Sequence, residues 1–372
     1  MRRLGLAGVV ALVGLRAAAA AAVCTTGTEL VQSFPTSGGA VSEWKLCWSI
    51  QRMPDSDGAL DASETLVISE ATFRPGVAAD PVDVLGELRM AEIFVPYDAG
   101  EPRFTDLTDF GFDIQDLTTT ECTGTRLGSN RVCKEVVDRE LAWRDPEAFP
   151  PVARRGEKLV LWSVLNASNY DYVMYYAFHD DGTIEVRGGS TGQKLGGPDD
   201  TAGHTHLFAW RIDLDVAGPG GDTVSVSNQS FSGKAVREKE EVIATETGIN
   251  WSAASFTHVE VDDATHTNGN GRHTGYALEP MRSGLPKFKE AFTRFPIAVT
   301  RAHAVGEELR AFDLPSYLNK ESVAGQNVVL WYLDAHHHEE NMRDEDRDTV
   351  PVLWTGFLLQ PQNLWDGTPF HP

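Results

Sequence analysis

The sequence predicts a mainly β protein, a large antiparallel β-sandwich with long loops, on three observations. Runs rich in β-branched and aromatic residues recur along the chain between Gly-, Pro-, Asn- and Asp-containing turns. Helical periodicity is scarce, and Pro286 to Arg294 reads at best as a short helix. No repeat of solenoid or propeller period is present, and 372 residues suffice to bury a sizeable core.

Taken in order, residues 1–22 read as a secretory signal peptide. Met1-Arg2-Arg3 is basic, Leu4 to Leu15 is apolar, and Ala17 to Ala22 offer small residues for cleavage. The apolar run is too short to span a bilayer and no later stretch approaches that length, so no stable membrane insertion is expected. Residues 23–372 then read as a single domain, because strands resume after both Gly/Asn-rich loops, Gly218 to Gly221 and Thr265 to Arg272.

Leu88 to Tyr97 is a predicted strand that runs into a loop holding Asp106 and Asp109. Lys158 to Leu165 has the composition of a buried strand. Tyr172 to Phe178 and Thr183 to Arg187 flank Asp180-Asp181-Gly182, a hairpin turn. From His204 to Val216 the pattern alternates. His206, Phe208, Trp210, Ile212, Leu214 and Val216 share one face; Thr205, Ala209, Arg211, Asp213 and Asp215 share the other. Asn327 to Leu333 and Val352 to Leu359 complete the set of predicted strands.

Charge and cysteine usage narrow the function. The chain has 32 Lys and Arg against 54 Asp and Glu, a formal charge of −22, which loss of Arg2, Arg3 and Arg16 with the leader takes to −25. Phosphate contacts need clustered cations, so this balance argues against a nucleic-acid partner. An acidic excess favours solubility and draws cationic ligands, polyamines and lysine side chains among them. The four cysteines form an even set. Of three possible pairings, Cys24 with Cys47 and Cys122 with Cys133 closes the shortest loops and is expected. Together with the leader this points to a secreted, extracellular protein. No CxxC spacing supports a zinc or redox reading. Sequons start at Asn166, Asn228 and Asn250.

Three places concentrate chemistry. His204-Thr205-His206 opens the alternating strand, and a His-x-His pair on a strand directs both imidazoles to one face, within reach of one metal ion. Imidazole suits copper and zinc. His336-His337-His338, after the strand ending at Leu333, can supply a third ligand. Asn169-Tyr170-Asp171-Tyr172 lies where a buried strand ends and an aromatic one begins. Asp106 and Asp109, with Tyr97 nearby, offer a carboxylate that an apolar pocket could turn into a general base of raised pKa.

The ordered motifs carry a resemblance. An Asp, then Asn-Tyr-Asp-Tyr, then His-x-His and a late His looks like the catalytic domain of the copper-dependent, topaquinone-containing amine oxidases. Leu88-Arg89-Met90-Ala91-Glu92-Ile93-Phe94-Val95-Pro96-Tyr97 is similar to the family's LSLxEMVVPY strand. Phe178 to Glu185 matches its F-x-x-D-G-x-I-E hairpin, and His204 to Asp215 its HxHxFxxRxDxD segment. Gly356 to Asp366 follows its terminal GFxLxPxNFFD, and Cys122 and Cys133 fall where it has a disulfide. The resemblance covers the chain from about Val41 onward and lacks the family's small N-terminal domains.

The resemblance implies a primary-amine oxidase that takes an amine and O₂ to aldehyde, ammonia and hydrogen peroxide, acting as a homodimer. It assigns Tyr170 as topaquinone precursor, Asp106 as base, Tyr97 as hydrogen-bond partner of the cofactor, Asn169 as its orienting residue and Phe104 as a gate. Copper would sit on His204, His206 and His338; His338 follows Trp331 by the family's seven-residue spacing, with His336 and His337 as alternatives. Asp213 and Asp215 resemble a second divalent-ion site that suits calcium, completed by carbonyls of Leu214 and Val328, with Asn327 in place of an Asp. The alternative is a catalytically inactive member that binds metal or ligand only.

Overall fold

The computed structural model describes residues 24–35, 41–54, 62–76, 80–193, 203–281, 285–286, 288–304, 306–338 and 350–366. The expected leader at 1–22 and the acidic segment 339–348 lie outside the described residues. Two antiparallel sheets dominate. The first runs edge to edge through Thr28–Pro35, Val41–Arg52, Glu64–Arg74, Val82–Pro96, His204–Leu214, Val328–His338, Ile297–Arg301 and Thr247–Ile249. The short strand Arg103–Thr105 pairs with Val82–Pro96 off this path. The second runs through Ala235–Ile243, Asp222–Ser232, His258–Thr267, His273–Pro280, Val350–Gln362, Ile184–Gly192, Tyr170–His179, Val152–Ala167, Val132–Asp145 and Thr125–Leu127. The predicted β-sandwich is what forms.

The sheets are joined by aromatic packing between their inner faces. Trp210 of the first sheet meets Phe357 of the second at 5.5 Å between ring centroids, and Tyr332 meets the same ring at 4.9 Å. Trp44 contacts Phe178 edge-on, and its indole N–H donates to the carbonyl of His179 at 2.7 Å. The Tyr176 hydroxyl crosses the layer to the carbonyl of Leu66 at 3.1 Å. Each of these rings is buried, so its apolar area leaves water, and the polar atoms of Trp44, Tyr176 and Tyr332 find backbone carbonyl partners.

Element boundaries follow backbone pairing more than side-chain pattern. The strand predicted to stop at Leu333 continues through His336 and His337 to His338, so the three histidines are ladder residues and not a solvated loop. The alternating strand ends at Leu214, one residue before Asp215, and is buried on both faces. The short helix expected over Pro286 to Arg294 is a single 3₁₀ turn, Ala291–Arg294. The Asp180-Asp181-Gly182 turn forms with Gly182 at φ +88°, closed by the His179 N–H donating to the Thr183 carbonyl at 2.8 Å. Both expected disulfides, Cys24–Cys47 and Cys122–Cys133, are present. Among the described residues no helix is long and apolar enough to cross a membrane.

Phe357 is the test of this packing. Phe357→Ala should cost about 3–5 kcal/mol, because it removes a ring clamped between two aromatic neighbours from the other sheet. Equilibrium urea unfolding should show the midpoint falling, and an unchanged midpoint would contradict the account.

Candidate functional site

Backbone register builds the centre of the site. In the antiparallel pair of His204–Leu214 with Val328–His338, His204 lies opposite His338 and His206 opposite His336. Strand alternation therefore sets four imidazoles in a two-by-two block on the inner face. The same alternation turns His337 to the other face, where it is exposed and its Nε2 lies 2.9 Å from an Asp98 carboxylate oxygen. His204, His206 and His338 are buried and offer ring nitrogens that all lie within 4.8 Å of one another. The fourth corner, His336, is held by Ser190 of the facing sheet, Oγ to Nε2 2.7 Å. Register and neighbours thus separate the three alternatives: His338 converges with the His-x-His pair, His336 has a polar partner below it, and His337 points away.

Tyr170 faces this block from the second sheet. Its hydroxyl is 2.9 Å from His338 Nδ1 and 3.0 Å from His204 Nε2, and its ring is 4.6 Å from that of His206. It follows a two-residue turn, Ser168-Asn169, between the paired residues Ala167 and Tyr170, with Ser168 at φ +64°. The Asn169 amide donates to the carbonyl of Gln193 at 2.8 Å, which fixes the turn; it acts on the backbone around Tyr170. Gly192 lies beside Tyr170 at φ +144°, and a Cβ there would come within 2.7 Å of the Tyr170 Cα. Asn166, the first sequon, is half-buried and its amide donates to Asp171 at 2.8 Å.

Tyr97, Phe104, Asp106 and Asn169 line a cavity of about 180 Å³ next to Tyr170. Asp106 lies in its wall, 7% exposed, and accepts a hydrogen bond from the Tyr172 hydroxyl at 2.6 Å. Burial pushes the Asp106 carboxyl up to about 7 against the opposing effect of that hydrogen bond. Asp109 is exposed and accepts from Thr105, so it takes no part in the cavity. Tyr97 stacks on His204 at 4.8 Å, and Phe104 meets Tyr97 edge-on at 6.2 Å.

Several contributors carried no role in the sequence reading. Tyr172 is two residues beyond Tyr170 on the same strand, and period-two spacing alone puts both rings on one face. Glu92 is fully buried beneath the Asp106 loop, accepting from the Leu107 N–H at 3.2 Å and the Thr108 hydroxyl at 2.5 Å. Burial raises its carboxyl to about 8, with the Asp106 charge adding to the rise, so it is mainly neutral at pH 7. Phe110 and Phe112 complete the cavity wall. A polar residue inside the apolar run Leu88 to Tyr97 was the available signal for Glu92.

The residues expected to form the second ion site lie at the other end of the same strand, nine residues from His204, or roughly 30 Å. Asp213, Asp215 and Asn327 each hold one buried oxygen, Oδ1, without a hydrogen-bond partner. Burial, then the charges of Asp213 and Asp83, raise the Asp215 carboxyl to about 7. Orphaned acceptors gathered around two carboxylates fit a hard cation. The other Asp213 oxygen lies 3.5 Å from the Arg211 guanidinium. Leu214 is the buried strand residue between the two carboxylates, and the Val328 N–H donates to Asp222 at 2.9 Å. Gly86 makes room here, since a Cβ would come within 2.7 Å of Asp215.

The fit of copper to the first site rests on its donors. Burial, reinforced by the three other imidazoles, holds His206 well below its ordinary value, and a neutral ring has a lone pair to give. Three convergent nitrogens with no thiolate or carboxylate among them suit a borderline metal such as copper.

Comparison with known proteins agrees with this geometry. Residues 128–371 match the family described as copper amine oxidase, enzyme domain. The chain is 27% identical over 293 residues to a histamine oxidase of Arthrobacter globiformis, covering 64% of this chain and 41% of that protein. It is 24% identical over 385 residues to primary amine oxidase 2 of Arabidopsis thaliana, covering 84% and 56%. The chain spans about half the length of these curated relatives. A copper-containing benzylamine oxidase from Hansenula polymorpha superposes with a TM-score of 0.67 at 17% identity, over 96% of this chain and 65% of that one. An Aspergillus nidulans amine oxidase gives 0.66 at 18% identity, over 88% and 52%. The shared sandwich and the family match over residues 128–371 lead to one conclusion: the chain belongs to the copper amine oxidase family.

Proposed function

We propose that the protein is a secreted primary-amine oxidase that uses copper and a topaquinone made from Tyr170. The observation that carries the reading is the placement of the Tyr170 hydroxyl within 3.0 Å of two of three convergent, buried imidazoles, beside a cavity holding a carboxylate of raised pKa. Secretion is supported by the leader-like N-terminus and by two disulfides, which persist in oxidising compartments. A second cation, calcium by donor type, belongs to the same proposal at Asp213, Asp215 and Asn327, with carbonyls of Leu214 and Val328.

In this reading His204, His206 and His338 hold copper, and the copper and quinone together supply an electrophilic carbonyl and a path for two electrons to O₂. The cavity admits the amine and excludes bulk water. Asp106 takes the proton from the substrate carbon that bears nitrogen, and its raised pKa matches a base that must also release that proton near neutral pH. The Tyr172 hydroxyl orients the carboxylate and favours its charged form. Glu92 anchors the loop by accepting from Leu107 and Thr108, so Asp106 stays aimed at the cavity. The Tyr97 ring stacks on His204 and limits its rotation. Overall, a primary amine, O₂ and water yield aldehyde, ammonia and hydrogen peroxide.

Mass spectrometry of the Tyr170 peptide after aerobic copper loading tests the proposal directly. It should show the mass of a tyrosine that has gained oxygen and lost hydrogen, and phenylhydrazine should shift a visible absorption band that Tyr170→Phe lacks. An unaltered tyrosine and no band would leave the inactive, metal-binding alternative. Copper binding should separate the three adjacent histidines. His338→Ala should weaken copper by roughly 100-fold or more, since it removes a ligand, whereas His337→Ala should leave affinity unchanged; equal losses, measured by competition with a chelator, would contradict the ligand set.

The pH profile tests the base. Because Asp106 must be charged to accept a proton, kcat/KM should rise with pH through about 7. Tyr172→Phe removes a bond that lowers the Asp106 pKa, so that limb should move to higher pH. Asp106→Asn should reduce kcat by roughly 10²-fold or more. A limb that ignores both changes would remove Asp106 from the role.

A further inference from the structure

Five aromatic rings and one carboxylate shape the cavity beside Tyr170. Phe112 stacks on Phe110 with ring centroids 5.3 Å apart and planes 14° apart. Phe110 meets Phe104 edge-on at 6.0 Å, and Phe104 meets Tyr97 edge-on at 6.2 Å. Tyr172 completes the lining and donates its hydroxyl to Asp106 at 2.6 Å. The rings therefore form a continuous apolar lining along the cavity as far as His204, on which Tyr97 stacks.

Charge is confined to the reacting end. Among the described residues lining the cavity, Asp106 is the one carboxylate. Acidic residues close by in sequence have other partners: Asp109 accepts from the Thr105 hydroxyl, Asp113 pairs with Arg52, and Asp171 accepts from the Asn166 amide. A diamine whose first nitrogen reached Tyr170 would have to leave its second ammonium along this aromatic wall. Stripping water from an ammonium costs more than an aromatic face returns. An aromatic ring in the same place replaces ring–water contacts by edge-on and stacked contacts with Phe104 and Phe110, which is favourable. The volume, about 180 Å³, is below that of sites for drug-sized ligands and suits one ring on a short arm.

We propose that the cavity selects small primary monoamines with an aromatic body, of the arylalkylamine type, over diamines and polyamines, and that Phe104 and Phe110 set this preference. The proposal rests on the amine-oxidase reading for its chemistry, but the shape and charge of the wall carry it. Among the described residues the overall acidity of the protein does not reach into the cavity in the form of a second carboxylate, so long-range attraction of polyamines is not matched there by a place to receive their distal charge.

The test separates pocket from chemistry. In copper-loaded Tyr170→Phe protein, which forms no quinone, isothermal calorimetry should show 2-phenylethylamine binding at least roughly tenfold more tightly than putrescine or n-butylamine, the scale expected of a shaped apolar pocket. In the same background Phe110→Ala and, as a milder change that keeps the wall filled, Phe110→Leu should each reduce that preference, with native-like circular dichroism. In the wild-type enzyme kcat/KM should follow the same order. Putrescine binding as tightly as 2-phenylethylamine, absence of binding by either, or a preference indifferent to both Phe110 variants would overturn the proposal. Failure of wild-type protein to react with phenylhydrazine, alongside the expected calorimetric order, would overturn the oxidase reading and leave the pocket assignment standing.

Discussion

Because His204 sits directly across from His338 in one antiparallel pair, a shift of that pairing by one residue would carry His338 to the outer face and leave His204 and His206 with the wrong neighbours. Everything at the centre depends on this register, and the core enforces it. Phe208, Trp210 and Ile212 on the same strand, with Leu330 and Tyr332 on its partner, are buried and packed inward. Slipping one residue would turn that whole set away from the facing sheet and bring Ala209 and Arg211 against it, losing the packed rings and burying a charge in their place. The hydrophobic pattern of two central strands thus positions polar side chains at their ends.

A second constraint is the burial of acids. Asp106 and Glu92 are both held in a low-dielectric setting, and both are raised to near neutrality. Their surroundings differ in what they leave free. Glu92 is enclosed by the backbone N–H groups of Ile93 and Leu107 and by the Thr108 hydroxyl, which makes it an anchor. Asp106 has one donor, Tyr172, and faces the cavity with its remaining acceptor capacity. Two similar side chains on directly paired segments thus differ in the number of hydrogen bonds each one receives, and so in what each leaves free.

The central strand also links two sites of opposite chemistry. Its beginning presents imidazoles, whose nitrogens suit a borderline metal, and its end presents carboxylates with unmatched oxygens, which suit a hard cation. Between them lie the buried apolar residues Leu207, Phe208, Ala209, Trp210 and Ile212, and Arg211, which bridges Glu87 and Asp213.

Much of the sandwich was legible in the chain, because alternation of β-branched and aromatic residues is a local property that survives in sequence. So were His204, His206, Tyr170 and Asp106, which stand in ordered motifs, and the two disulfides, which close short loops. Less was legible where side-chain pattern and backbone pairing diverge: the strand that continues through three histidines gives no apolar signal past Ala335. The choice among His336, His337 and His338, the capture of Asp106 by Tyr172 and the exclusion of Asp109 from the cavity all depend on pairing between strands far apart in sequence. Sequence by itself determined which residue types and which strands exist, since these follow from local chemistry. Only the tertiary structure decided which of those residues meet, because register and burial are set by the whole core at once.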